Sequence, residues 1–157
     1  MLYINKDNYV VLPMYSTNKI GEKHVLPQSG LNSWRGDATK RYRQPDEIYI
    51  RVPVAVHKIS PNFFPQGHFP LLLPNGSYLQ VSLCQQGKKA LMSDPNVDIG
   101  HWMLREVLRI PENTQVTYEM LEQKGIDSVI ITKSNNAYSI VPAPVGSYEN
   151  FLNSSNF

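Results

Sequence analysis

The clearest structural instruction in this chain is Asn75-Gly76, which separates Phe69 to Leu73 from a segment in which Leu79, Val81 and Leu83 alternate with Tyr78, Gln80 and Ser82. Asn-Gly supplies the positive φ angles of a tight turn, so residues 69–83 are expected to form a β-hairpin. A second hairpin is expected about Ser134-Asn135-Asn136, between Asp127–Lys133 and Ala137–Val141. Residues 8–15 read as a strand that Pro13 confines to a sheet edge or a strand end. Glu47–Val52 alternates as a half-buried strand closed by Pro53, and Val54–His57 reads as a further strand. The proline-rich loop 61–70 carries Phe63, Phe64 and Phe69, which are expected to plug one end of the core.

Two short helices complete the pattern. Asp98 is placed as the cap of residues 99–109, and Thr117 as the cap of a helix ending at Lys124, with Gly125 turning left-handed after it. Roughly seven or eight short strands with frequent turn signals favour a barrel or a sandwich. From Pro142 the pattern fades, which puts the core at about 8–142 and leaves 143–157 as a frayed C-terminal tail.

At 157 residues the chain is sized for a single domain, 1–157. Cys84 is its one cysteine, which excludes an internal disulfide and points to a cytoplasmic protein. No apolar run is long enough to span a bilayer, so no membrane partner is expected. The formal net charge is only +2, so any nucleic-acid contact has to come from charge clustered on one face.

Such a cluster exists. Residues 29–43 follow neither strand nor helix periodicity and carry Arg35, Lys40, Arg41 and Arg43 against the single acid Asp37. Arginine forks match the O6/N7 edge of guanine, aspartate accepts from the cytosine amino group, and lysines grip phosphates. The stretch therefore reads as an arm, projecting from a sheet, that contacts duplex DNA; the plainer reading is a solvated loop. A second polar segment, 85–96, brings Gln85, Gln86, Lys88, Lys89 and Asn96, residue types suited to adenine edges and phosphates, although its lysines are balanced by Asp94 and Asp98.

Catalytic signatures are missing: there is no Gly-rich phosphate loop, no Gly-x-Ser-x-Gly elbow and no metal-ligand spacing among His24, His57, His68 and His101. Glu122-Gln123-Lys124 matches half of a nuclease carboxylate–lysine motif, but the match is very short and a solvated helix face explains it far better. A binding module without cofactors fits better than an enzyme.

Ser29-Gly30-Leu31-Asn32-Ser33-Trp34, the basic run after it and Glu47-Ile48-Tyr49-Ile50-Arg51-Val52-Pro53 resemble the DNA-recognition domain of the NgoFVII/NgoAVII/BfiI-type restriction endonucleases. Phe63-Phe64-Pro65, Lys89-Ala90-Leu91-Met92-Ser93 and Gly125-Ile126-Asp127-Ser128-Val129 look like later landmarks of that family. One departure is Ser33, which separates Asn32 from Trp34 where the family has them adjacent.

The resemblance implies a mainly β fold, the B3-like DNA-binding pseudobarrel of about seven strands with two short helices, whose two arms enter the major groove like a wrench. Carried over, the first arm contributes Ser33, Trp34, Arg35, Asp37, Thr39, Lys40, Arg41 and Arg43. The second contributes Gln85, Gln86, Lys88, Lys89, Met92, Ser93, Asp94 and Asn96. The resemblance further implies a prokaryotic type II restriction endonuclease whose phospholipase-D-type nuclease domain lies N-terminal to this chain. Arginine with aspartate in the main arm suggests a short, G·C-rich, asymmetric double-stranded DNA site. The alternative is a non-catalytic protein-interaction module with a solvated basic loop.

Overall fold

The computed structural model describes residues 8–36 and 43–154. Its strands are β1 (Tyr9–Pro13), β2 (Ser16–Thr17), β3 (Lys23–His24), β4 (Ile50–Arg51), β5 (Phe69–Leu72), β6 (Tyr78–Cys84), β7 (Ala90–Ser93), β8 (Ile126–Ser134) and β9 (Ala137–Pro144). Seven of them make one sheet in the order β1-β8-β9-β5-β6-β7-β4, and β2 and β3 form a separate ribbon. Neighbours in the sheet run antiparallel except β5 and β9, which are parallel. The sheet curls until its two edges, β1 and β4, approach each other. Arg51 Nη1 donates to the Tyr15 carbonyl across that gap at 3.1 Å. The result is the mainly β half-barrel expected for a B3-like pseudobarrel.

Both expected hairpins form. Leu71 pairs with Leu79 about the Asn75-Gly76 turn, and Ile131 pairs with Ile140 about a turn in which Asn135 and Asn136 have φ of 51° and 68°. Val10, Leu12, Leu71, Val81, Val129, Ile131 and Ile140 fill the interior. β1 lies at an edge and ends at Pro13, where a missing N–H costs the ladder nothing. Phe63 and Phe69 are buried and pack edge-on or tilted against Tyr138, the plug expected of that loop.

Four expectations are corrected. Only Ile50–Arg51 of the segment 47–52 joins a ladder. Val54–His57 is not a strand but part of helix α1 (Val54–Ile59). Val56 and Ile59 are three apart on the inner face of this helix, a spacing that the short Val-Ala-Val run disguises as alternation, and Val56 is buried while Val54 is exposed. Asp98 does not cap the next helix. It is the first residue of α2 (Asp98–Gly100), which continues as a π-helix, His101–Val107, and the Ile99 N–H is met by Ser93 Oγ at 2.9 Å.

The tail is the fourth correction. β9 runs to Pro144 and α4 (Ser147–Ser154) follows it. Tyr148, Phe151 and Leu152 form a narrow apolar stripe, and Phe151 packs edge-on against Tyr9 with centroids 5.6 Å apart. Burying one such ring is worth about 1.5–3 kcal/mol, enough to dock a two-turn helix that would be marginal alone. Glu149 adds a polar fastening, receiving Tyr15 Oη at 2.5 Å and Lys23 Nζ at 2.8 Å. Burial alone would raise the Glu149 pKa, but the hydrogen bonds from Lys23 and Tyr15 outweigh it and hold the carboxyl below its ordinary value. Burial and the bond to Glu149 push the Tyr15 phenol up. Burial and a 2.7 Å bond to the buried Asp127 do the same to Tyr118 on helix α3 (Tyr118–Lys124). α3 is capped as expected: Thr117 Oγ1 accepts from Met120 N, and Gly125 is left-handed at φ 75°.

Candidate nucleic-acid interface

The Ser-Gly-Leu-Asn signature builds the foot of the first arm. Gly30, left-handed at φ 57°, starts a 3-10 helix, Gly30–Arg35, and Leu31 beside it is buried in the core. Asn32 is fully buried although polar. Its Nδ2 donates to the carbonyls of Leu26 (3.0 Å) and Val116 (2.9 Å), and its Oδ1 accepts from Val116 N (2.8 Å). One side chain thereby ties the arm to the loop ahead of α3. Ser33 is half-buried, Trp34 packs partly against the core, and Arg35 Nη1 donates to the Pro27 carbonyl at 2.6 Å. Asp37, Thr39, Lys40 and Arg41 lie outside the described residues.

The arm closes where it begins. A Cβ on Gly36 would lie 2.7 Å from Arg43 Nε, so residues 36 and 43 come close together. Arg43 Nη1 is 4.0 Å from Glu47 Oε2, and Asn96 Nδ2 donates to Glu47 Oε1 at 3.1 Å. Asp46 accepts from Arg105 through Nε (3.0 Å) and Nη2 (2.6 Å), and His101 Nδ1 lies 3.3 Å from its other oxygen. The returning limb is thus bolted to the helix that follows β7.

The second arm is shorter than 85–96. Ala90–Ser93 belongs to β7, with Ala90, Leu91 and Ser93 buried and Met92 half-buried, so the projecting part is the β6–β7 connection, residues 85–89. Gln85, Gln86, Lys88 and Lys89 are all exposed there. Gln85 and Lys88 take φ of 70° and 53°, and Lys88 N donates to the Gln85 carbonyl at 2.9 Å. His57 Nε2 lies 2.9 Å from the Lys88 carbonyl, which only accepts, so that nitrogen carries the hydrogen. Ser93 is buried in β7, where its hydroxyl donates to the Pro95 carbonyl at 2.8 Å and accepts from Ile99 N. Asn96 holds Glu47, and Asp94 is exposed, 3.9 Å from His68.

Between the arms lies a cleft of about 310 Å³. Ser29, Gly30 and Leu31 of the first arm line one part of it, Gln85 and Lys89 of the second another, with Tyr49, Arg51 and Val54 between them. No acidic residue is among its lining, so Arg51 and Lys89 give it a positive field. Tyr49, Arg51 and Val54 were not singled out from the sequence. Arg51, a cation within an alternating strand, was the available signal.

Glu122 and Lys124 are exposed on α3. Among the described residues no group of three His, Cys, Asp or Glu side chains is arranged to hold a metal ion, and no helix is long and apolar enough to cross a membrane.

None of the curated proteins matches the chain. Residues 10–135, which include both arms, the cleft and the sheet up to the end of β8, match the family described as the NgoFVII C-terminal B3-like DNA-binding domain. With most of its length matched and its strands folded into the half-barrel of that fold, the chain belongs to the NgoFVII C-terminal B3-like DNA-binding domain family.

Proposed function

We propose that this DNA-binding domain is the target-recognition part of a type II restriction endonuclease and that it reads a short, asymmetric, G·C-rich duplex site through the major groove with its two arms. The observation that carries the reading is the acid-free cleft flanked by two cation-bearing loops, each fastened to the barrel at its root. Rigid roots matter because base readout tolerates little positional error.

Arg35, Arg41 and Arg43 take guanine edges or phosphates, Asp37 takes a cytosine amino group, and Thr39 and Lys40 hold the backbone. Gln85 and Gln86 add polar base contacts while Lys88 and Lys89 neutralise phosphates. Cleavage belongs to a separate nuclease domain N-terminal to this one.

The test is to incubate the purified chain with a random duplex library at physiological salt and to sequence the retained fraction. Enrichment of one G·C-rich motif is the expected result, and Asp37→Ala then costs about 1–3 kcal/mol on that motif and little on random duplex. Equal loss on both would remove the base-reading role. Retention of no duplex at all would overturn the proposal in favour of a protein-interaction surface.

A further inference from the structure

Six large hydrophobic side chains are exposed among the described residues, and two of them, Leu26 at 41% and Val54 at 67%, line the cleft between the arms. A lone exposed aliphatic residue carries no message. Two that line one cleft, beside the polar and cationic side chains of Ser16, Gln85, Arg51 and Lys89, offer a ligand apolar contact next to hydrogen-bonding groups.

Val54 is also held in place. Val52 N donates to the Lys89 carbonyl at 2.8 Å just before α1, and His57 Nε2 bonds the Lys88 carbonyl within it. The helix carrying Val54 and the second arm are therefore one unit. Its β-branched side chain has little rotamer freedom and presents its methyl groups in a defined direction.

The edges of DNA bases in the major groove offer hydrogen-bonding groups and a single apolar one, the C5-methyl of thymine, to which 5-methylcytosine adds its own. We propose that Val54, with Leu26 lining the same cleft, packs against the C5-methyl of one pyrimidine in the bound duplex, so that the domain discriminates methylated from unmethylated pyrimidine at that position. The inference rests on the proposal that the cleft faces the major groove.

The experiment uses the full chain and a duplex selected from the random library. Each thymine in turn is replaced by uracil, each cytosine by 5-methylcytosine, and dissociation constants are measured for wild type and Val54→Ser. Burying one methyl group is worth about 0.8 kcal/mol, so at one position the methylated base is expected to bind about fourfold more tightly. That ratio is expected to fall to about one in Val54→Ser, an exposed site at which thermal unfolding should match wild type. Binding with no pyrimidine sensitive to its methyl group, or a ratio that survives Val54→Ser, overturns the inference and leaves DNA reading intact. Absence of any duplex binding overturns both.

Discussion

Asn32→Leu tests whether the signature segment is a foundation of the arm. The side chain is fully buried and makes three hydrogen bonds, two of them to the backbone of Val116, which is itself inaccessible to water. Leucine has similar volume and no polar atoms, so the exchange leaves the Val116 N–H and carbonyl unpaired in the interior. Leu26, by contrast, is 41% exposed, so the cost is reckoned on the Val116 pair alone. Each orphaned buried group costs about 1–3 kcal/mol, giving about 2–6 kcal/mol for the pair. We expect about 3 kcal/mol, because the loop ahead of α3 can shift to recover part of the loss.

For a domain of this size that is about 6–12 °C in Tm, read by urea and thermal unfolding through tryptophan fluorescence. Duplex affinity at a temperature where the variant is still folded should also fall, since the 3-10 helix under the arm loses its tether. A stability loss below about 0.5 kcal/mol with an unchanged denaturant slope would refute the reasoning, because it would mean that the three bonds are replaced at no net cost.

Gly100→Ala places a Cβ 1.8 Å from the Asp46 carbonyl oxygen, so the limb of the first arm must move; overpacking of this kind costs about 1–3 kcal/mol, and both unfolding and duplex affinity should register it. Lys88→Ala should weaken cognate and random duplex alike and reduce the magnitude of the slope of log affinity against log salt by about one, whereas an unchanged slope would mean that Lys88 meets no phosphate. The Glu149 carboxyl sits below its unfolded pKa, so its contribution is present above that value and is lost as pH falls through the folded value. Glu149→Gln should accordingly flatten the acid limb of the stability curve below about pH 4.5. An acid limb identical to wild type would show that Glu149 does not fasten α4.

What the sequence made legible was local. Asn75-Gly76, the Asn135-Asn136 turn, the Thr117 cap and Gly125 all act through their own backbone within a few residues, and each forms as expected. What it hid depended on distant partners. α4 exists because Phe151 finds Tyr9 and Glu149 finds Lys23, across more than a hundred residues of sequence, and its Asn- and Ser-rich composition offers no local sign of that. α1 was misread because three residues cannot separate a period of two from one near four. The candidate site divides the same way: charge and failed periodicity marked both arms, while the cleft is created only when β4 curls round beside β7 and brings Arg51 near Lys89.

A consequence follows for where specificity resides. Gly30, Leu31 and Asn32, the residues that make the signature segment distinctive, are occupied by a backbone conformation, the core and three internal hydrogen bonds. None of these three uses leaves a side chain to read a base. The signature therefore reports that an arm is present and how its root is set, and it carries no information about which sequence is read. Under the proposed reading, discrimination is expected from the other proposed contacts: Arg35 and Arg43, residues 37–42, the exposed loop 85–89, and Val54. Exchanging residues 37–42 while keeping 29–36 and 43–53 should then redirect the enriched motif at unchanged stability. Exchanging 29–34 instead should lower stability and leave the motif as it was.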